Sequence, residues 1–159
     1  MHQGMRWVVL PLAVVVAMGL AGWQQAAAQA KKATFELYKD KGGDYRFRLK
    51  DNEGTTLAVS AKGYTTKAAL LKLVEVIRRD VAKARFEDAE KGEKVAAGKG
   101  VLFEMYKDKS GEYRFRLKDD DGDLLAIAVI GHRTKASCRM VIDAIKHGAA
   151  KAKVAEEGR

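Results

Sequence analysis

The chain has 159 residues, a formal net charge of +9 and 32% charged side chains. Acids and bases are interspersed, a pattern that tolerates polyanions without demanding them. Cys138 is the single cysteine, which excludes an intramolecular disulfide and leaves stability to packing.

The first thirty residues stand apart in composition. Met1 to Arg6 carry the amino terminus and one arginine, the seventeen residues Trp7 to Trp23 are almost wholly apolar, and small residues follow. This is the three-part grammar of a secretory signal. Ala26-Ala27-Ala28 and Ala28-Gln29-Ala30 both fit the small-x-small cleavage rule and basic Lys31-Lys32 come next, so cleavage is expected after Ala30. The competing reading is an uncleaved membrane anchor. Against it, the apolar run is broken by Pro11 and is shorter than the roughly 20 residues of a usual spanning helix. A secreted or periplasmic mature chain without a membrane span is the expectation, and loss of Arg6 takes its formal charge from +9 to +8.

Beyond the signal the chain is written twice. A shift of 68 lays Phe35 to Val81 onto Phe103 to Ala149 without a gap, and FELYKDKGGDYRFRLKD and FEMYKDKSGEYRFRLKD agree at fourteen of seventeen positions. A repeat that regular means one structural unit made twice. The chain divides into a signal peptide (1–30), a first repeat (31–90), a connector (91–101) and a second repeat (102–159).

Within each copy three short runs alternate apolar and polar residues, the period of a half-buried strand. In the first copy Phe35 and Leu37, then Tyr45, Phe47 and Leu49, then Leu57 and Val59 form the inward set. Sharing one face requires Leu37 opposite Phe47 and Leu49 opposite Leu57. Two three-residue turns follow, Lys41-Gly42-Gly43 and Asn52-Glu53-Gly54, each ending on the glycine that a type I turn plus bulge needs at its left-handed position. Lys109-Ser110-Gly111 and Asp120-Asp121-Gly122 repeat them.

After the third strand the period changes to about 3.6. Leu70, Leu73, Val74, Ile77 and Val81 form one stripe, and Cys138, Val141, Ile142, Ile145 and Ala149 the other. Thr66 and Thr134 stand where a helix N-cap is expected. Phe86 and Val154 are equivalent positions that begin a short final strand. Units of about fifty residues are marginal alone, so the copies are expected to pack together. The predicted fold is α+β: a tandem repeat of a three-strand antiparallel meander, one helix and a short final strand, with pseudo-twofold symmetry. Such an internal pseudo-dimer is expected to be monomeric.

The stretch FELYKDKGGDYRFRLKDNEGTTLAVSAKGYTTKAA resembles the YegP-like family of small proteins of unknown function. Its pattern is an FE-x-YKD strand, a YRFRLK strand, then G-Y-x-[ST]-K-x-A opening a helix. Both copies match, although His132-Arg133 replaces Tyr64-Thr65 in the second. The resemblance implies three-strand, helix, strand units sharing one sheet, with the final strands exchanged between units. It implies no catalytic residue, cofactor or metal.

Arg46, Arg48 and Lys50 alternate with the inward set, as do Arg114, Arg116 and Lys118, giving each middle strand a cationic row on the outer sheet face. With Tyr38 and Tyr106 on the same face, this is the candidate partner-binding surface, extended in expectation over Ala58, Ser60, Ala126 and Ala128. Cationic rows with aromatic platforms are also how polyanions and nucleic acids are gripped. The same register sets Glu36 opposite Arg48 and Tyr38 opposite Arg46, with Glu104 and Tyr106 facing Arg116 and Arg114. Such cross-strand pairs contribute roughly 0.2 to 1 kcal/mol each with no ligand at all.

The acidic run Asp119-Asp120-Asp121-Gly122-Asp123 fails as a calcium loop. With Gly122 at its sixth position, Leu117 and Ala128 fall where carboxylates are needed. Cys138 replaces Leu70 on the apolar stripe and reads as a buried thiol. His132 and His147 lie near opposite ends of one helix, too far apart to share a metal. The residues therefore point to an exported, non-enzymatic binding or structural module whose partner is a protein or an anionic envelope polymer. Nucleic acid fits poorly with export. An enzyme would need a cleft between the copies in which Tyr64, His132 and Arg133 act together.

Overall fold

A computed structural model describes residues 33–89 and 99–158. The expected signal peptide and most of the expected connector lie outside the described residues. Three strands open the first copy, β1 (Thr34–Lys39), β2 (Tyr45–Lys50) and β3 (Thr56–Ser60), followed by helix α1 (Lys67–Asp80) and strand β4 (Arg85–Ala89). The second copy repeats them as β5 (Leu102–Lys107), β6 (Tyr113–Lys118), β7 (Leu124–Ala128), α2 (Lys135–Gly148) and β8 (Lys153–Glu156). A 3-10 turn joins each helix to the strand after it.

The hairpin turns form where the glycines predict. Gly43, Gly54, Gly111 and Gly122 have φ between 83° and 88°, a backbone state that a side chain would strain. An aspartate precedes each turn. Asp40 Oδ1 accepts from the amides of Gly42 and Asp44, and Asp51 Oδ1 from those of Glu53 and Thr55. Asp108 and Asp119 do the same in the second copy. The acidic turns are thus backbone-satisfying Asx geometry.

The first hairpin has the expected register, with Leu37 opposite Phe47 and Glu36 opposite Arg48. The second does not. Lys50 pairs with Thr56 but Leu49 pairs with Ala58, so Leu57 is an extra residue in a β-bulge, and Leu125 repeats this in the second copy. A bulge inverts the alternation beyond it. Ala58 and Ser60, expected outside, are buried, as are Ala126 and Ala128. Val59 turns away from the core face, while Leu57 still packs against it. Buried Ser60 places its hydroxyl oxygen 3.4 Å from the Phe47 amide.

All eight strands form one sheet in the order β4-β5-β6-β7-β3-β2-β1-β8. At its centre β3 and β7 run antiparallel with Val59 opposite Ile127, two positions 68 apart, so the pseudo-twofold axis passes between them. The final strands are exchanged: β4 pairs in parallel with β5 of the other copy, and β8 with β1. A helix-opening lysine spans each exchange across the copies. Lys135 Nζ lies 2.6 Å from Asp88 on β4, and Lys67 pairs with Glu156 on β8.

Both helices cover the same face. Thr66 accepts from the Ala69 amide at 3.2 Å and Thr134 from the Ser137 amide at 3.1 Å, as N-caps. Leu70, Leu73, Val74, Ile77 and Val81 of the first stripe are buried, together with Cys138, Ile142, Ile145 and Ala149 of the second. One continuous core joins the copies, with Phe35 and Phe47 edge-to-face at 5.1 Å and Phe103 and Phe115 at 5.7 Å. Such aromatic pairs add about 0.5–1.5 kcal/mol beyond their area. Among the described residues, no helix is long and apolar enough to cross a membrane.

Candidate functional site

Strand alternation places the candidate side chains on the sheet face that the helices leave open. Glu36, Tyr38, Arg46, Arg48 and Lys50 are partly buried there, interleaved with buried Phe35, Leu37, Phe47 and Leu49. Tyr106, Arg114, Arg116 and Lys118 repeat the arrangement, with Glu104 buried. Ala58, Ser60, Ala126 and Ala128 drop out of this surface because the bulges turn them into the core.

Each cation of the two rows has an acidic partner. Arg46 Nε donates to Asp40 Oδ2 at 2.6 Å, so the middle-strand arginine braces the turn whose other oxygen already holds two amides. Arg114 and Asp108 repeat this at 2.6 Å. This bond was hidden in the sequence, although the D-x5-R spacing occurs in both copies. Arg48 Nη1 meets Glu157 at 2.8 Å and Glu36 at 3.3 Å, and Lys50 Nζ lies 2.8 Å from Glu36. Arg116 grips Glu104 through two bonds, 2.9 and 2.7 Å, and Lys118 pairs with the same carboxylate.

Tyr38 and Tyr106 pair straight across with Arg46 and Arg114 as expected, but each ring stacks on the next outward arginine of the row. The Arg48 guanidinium lies 3.8 Å from the Tyr38 ring centroid and Arg116 lies 4.8 Å from that of Tyr106. These diagonal contacts order the long arginines while leaving part of each group in water. Arg48 is 31% and Arg116 36% exposed.

Electrostatics follow the pairing. The Lys50 hydrogen bond, opposed by burial and joined by Arg48, holds the Glu36 carboxyl below its usual range. Arg46 does the same to Asp40, and Arg114 to Asp108. Burial acts to raise Glu104, but bonds from Arg116 and Lys118 more than reverse it. Glu104 is 2% exposed against 21% for Glu36, so the two copies differ most in how far this carboxylate is sunk.

The residues of the enzyme reading do not converge. Tyr64 bridges to Tyr45 and His132 to Tyr113, each within its own copy. Burial pushes the Tyr64 phenol up, with Asp119 and Asp123 adding to the shift. The cavity that His132 lines lies between the copies and includes Asp51 and Thr55 but neither Tyr64 nor Arg133, while the phenylalanine core joins the copies elsewhere. Cys138 is fully buried, and its thiol is pushed up to about 11 by that burial. It fills core space and is not poised as a thiolate nucleophile.

Known proteins share this architecture. The chain is 30% identical over 125 residues to a UPF0339 protein from the ptx operon 5′ region of Stutzerimonas stutzeri, covering 79% of this chain and 96% of that protein. A UPF0339 protein of Agrobacterium fabrum is 46% identical over 50 residues, 31% of this chain but 79% of its own length, so it is built on the scale of one copy. Among solved structures, the protein of unknown function yegP from E. coli aligns with a TM-score of 0.62 at 20% identity, over 81% of this chain and 97% of that one. A UPF0339 protein of Shewanella oneidensis gives 0.62 at 16% identity, over 79% and 91%. At those identities the likeness is one of fold. The profile described as Domain of unknown function (DUF1508) matches residues 40–88 and again 108–156, so the chain belongs to that family, with two copies of its domain in tandem.

Proposed function

We propose that this chain is an exported, non-enzymatic binding or structural module that meets its partner through the outer sheet face. The observation that carries the reading is the pair of tyrosine–guanidinium stacks, Tyr38 with Arg48 and Tyr106 with Arg116, repeated on the face opposite α1 and α2. Tyrosine and arginine held in one geometry lose little freedom on docking and are enriched at the energetic centres of interfaces. Export rests on the basic, apolar and small-residue order of the first thirty residues. A flat protein partner suits a surface whose charges are already balanced.

The polyanion alternative asks more of the same residues. To track phosphates or sulfates, Arg46, Arg48, Arg114 and Arg116 would first surrender carboxylate partners at 2.6–3.3 Å. Retention on heparin would then be weak and little changed by Arg46→Gln with Arg114→Gln.

A photo-crosslinking residue at Tyr38 or Tyr106, compared with one at Lys72 on the helix side, tests the proposal in producing cells. Discrete adducts from the two sheet positions and none from Lys72 support it. Adducts from Lys72 alone would move the working surface to the helices.

A further inference from the structure

Positions related by the pseudo-twofold axis have diverged around Tyr64 and His132. On the Tyr64 side, the neighbouring Leu73 and Leu125 are buried and the phenol stands near Asp119 and Asp123. On the other side, His132 replaces Tyr64, Val141 replaces Leu73 and Ala144 replaces Val76, each a loss of bulk. Leu57 and Val141 there are only half-buried, and a cavity of about 340 Å³ opens between α2 and the β2–β3 turn of the first copy. That volume lies at the lower end of the range of small-molecule sites.

The lining has an apolar floor and one polar side. Leu57, Val141 and Ala144 form the floor, while Asp51, Thr55, His132 and Ser137 supply the polar groups. Asp51 is the one carboxylate among the described lining residues. Its Oδ1 holds the amides of Glu53 and Thr55, and its other oxygen has no partner among the described residues. The main chain of His132 is committed to Tyr113, but its ring makes no hydrogen bond to the described residues. Met140 on the rim is 72% exposed, a flexible apolar side chain able to fold over a guest.

We infer that this cavity is a binding site for a small amphipathic amine, its ammonium on Asp51 and its apolar body on the Leu57, Val141 and Ala144 floor. The carboxylate sets the sign of the head group, since an anion of the same shape would face Asp51 with no lysine or arginine among the described lining residues to meet it. A ring nitrogen of His132 lies on the same polar side and can take a second contact with the head group. This site is separate from the outer sheet face, so the two readings stand or fall independently.

Phenethylamine and phenylacetate, alike in size and opposite in charge, are suitable probes for the purified protein. Titration is followed by NMR at the Met140 methyl and the His132 ring. Saturable shifts of both signals with phenethylamine, and binding of phenylacetate weaker by about tenfold or more, are expected from one charge-assisted hydrogen bond. His132→Tyr with Ala144→Val, which installs two of the bulkier residues of the Tyr64 side, should abolish the Met140 shift while the melting temperature shows the fold retained. Equal response to both probes, no saturable response, or undiminished binding by the folded filled variant would each overturn the inference. The comparison of probes on the unaltered protein decides the question even where the variant fails to fold.

Discussion

Glu36 and Glu104 are the same residue in duplicate, yet they carry different weight. Glu104 is buried beneath Arg116 and Lys118, so Glu104→Gln strands two cations beside a neutral amide, whereas Glu36→Gln leaves Arg48 with Glu157 and solvent. Removing one partner of a fully buried pair costs 3–5 kcal/mol; with Arg116 about a third exposed, Glu104→Gln should cost about 1–3 kcal/mol, and Glu36→Gln under about 1 kcal/mol. Urea melts of the two variants check this ordering. Acid should act through the same groups. Glu36, Asp40, Glu104 and Asp108 all have lowered folded-state pKa values, so their contribution is complete above the ordinary carboxylate range. It is lost as pH falls below about 4 and through the depressed folded values. Melting temperature should therefore be flat from neutral pH to about 5 and fall steeply below, a slope that Arg46→Gln with Arg114→Gln would flatten. At this scale the sequence was a partial guide. Cross-strand partners followed from counting, but the Arg46–Asp40 bond and the tyrosine stacks did not, because alternation fixes a side chain's face and not the direction in which a long arginine bends.

Elements with a local signal were legible, and those fixed by distant contacts were less so. The four turn glycines, the Thr66 and Thr134 caps and the helical stripes each declare themselves within a few residues. The bulges at Leu57 and Leu125 do not. In Thr56-Leu57-Ala58-Val59-Ser60 the apolar residues run together, and only contact with the rest of the sheet decides that small Ala58 and Ser60 face the core. The exchange of β4 and β8 followed from the family resemblance, and the structure adds contacts across it, Lys67 with Glu156 and Lys135 with Asp88. A chain ending at Ala152 would lose β8 and bare the β1 edge next to buried Phe35 and Leu37. Unpaired edges of this kind recruit other chains. The truncated protein should melt earlier than the full one and shift to larger species in light scattering as its concentration rises; a monomer of unchanged stability would show that β8 is ornamental.

As a whole the molecule is a dimer written into one chain. Each copy expressed alone lacks the β3–β7 pairing, the exchanged strand and half the phenylalanine core. Separate halves should be unfolded or self-paired, and mixing them should give a one-to-one complex visible in native mass spectrometry; a sharply melting monomeric half would contradict this. The union of two copies was readable because a fifty-residue unit leaves apolar surface bare. The pocket beside His132 was not, since its walls come from residues far apart in sequence and its existence depends on bulk lost at several of them together. The meeting of Val59 with Ile127 on the axis has a last consequence. In an assembly of identical subunits every mutation is inherited by both sides at once, so no change can be tried on one flank while the other is kept as it was. Covalent joining lifts that restriction: one flank can hold the particle together while its twin is released to acquire a private chemistry.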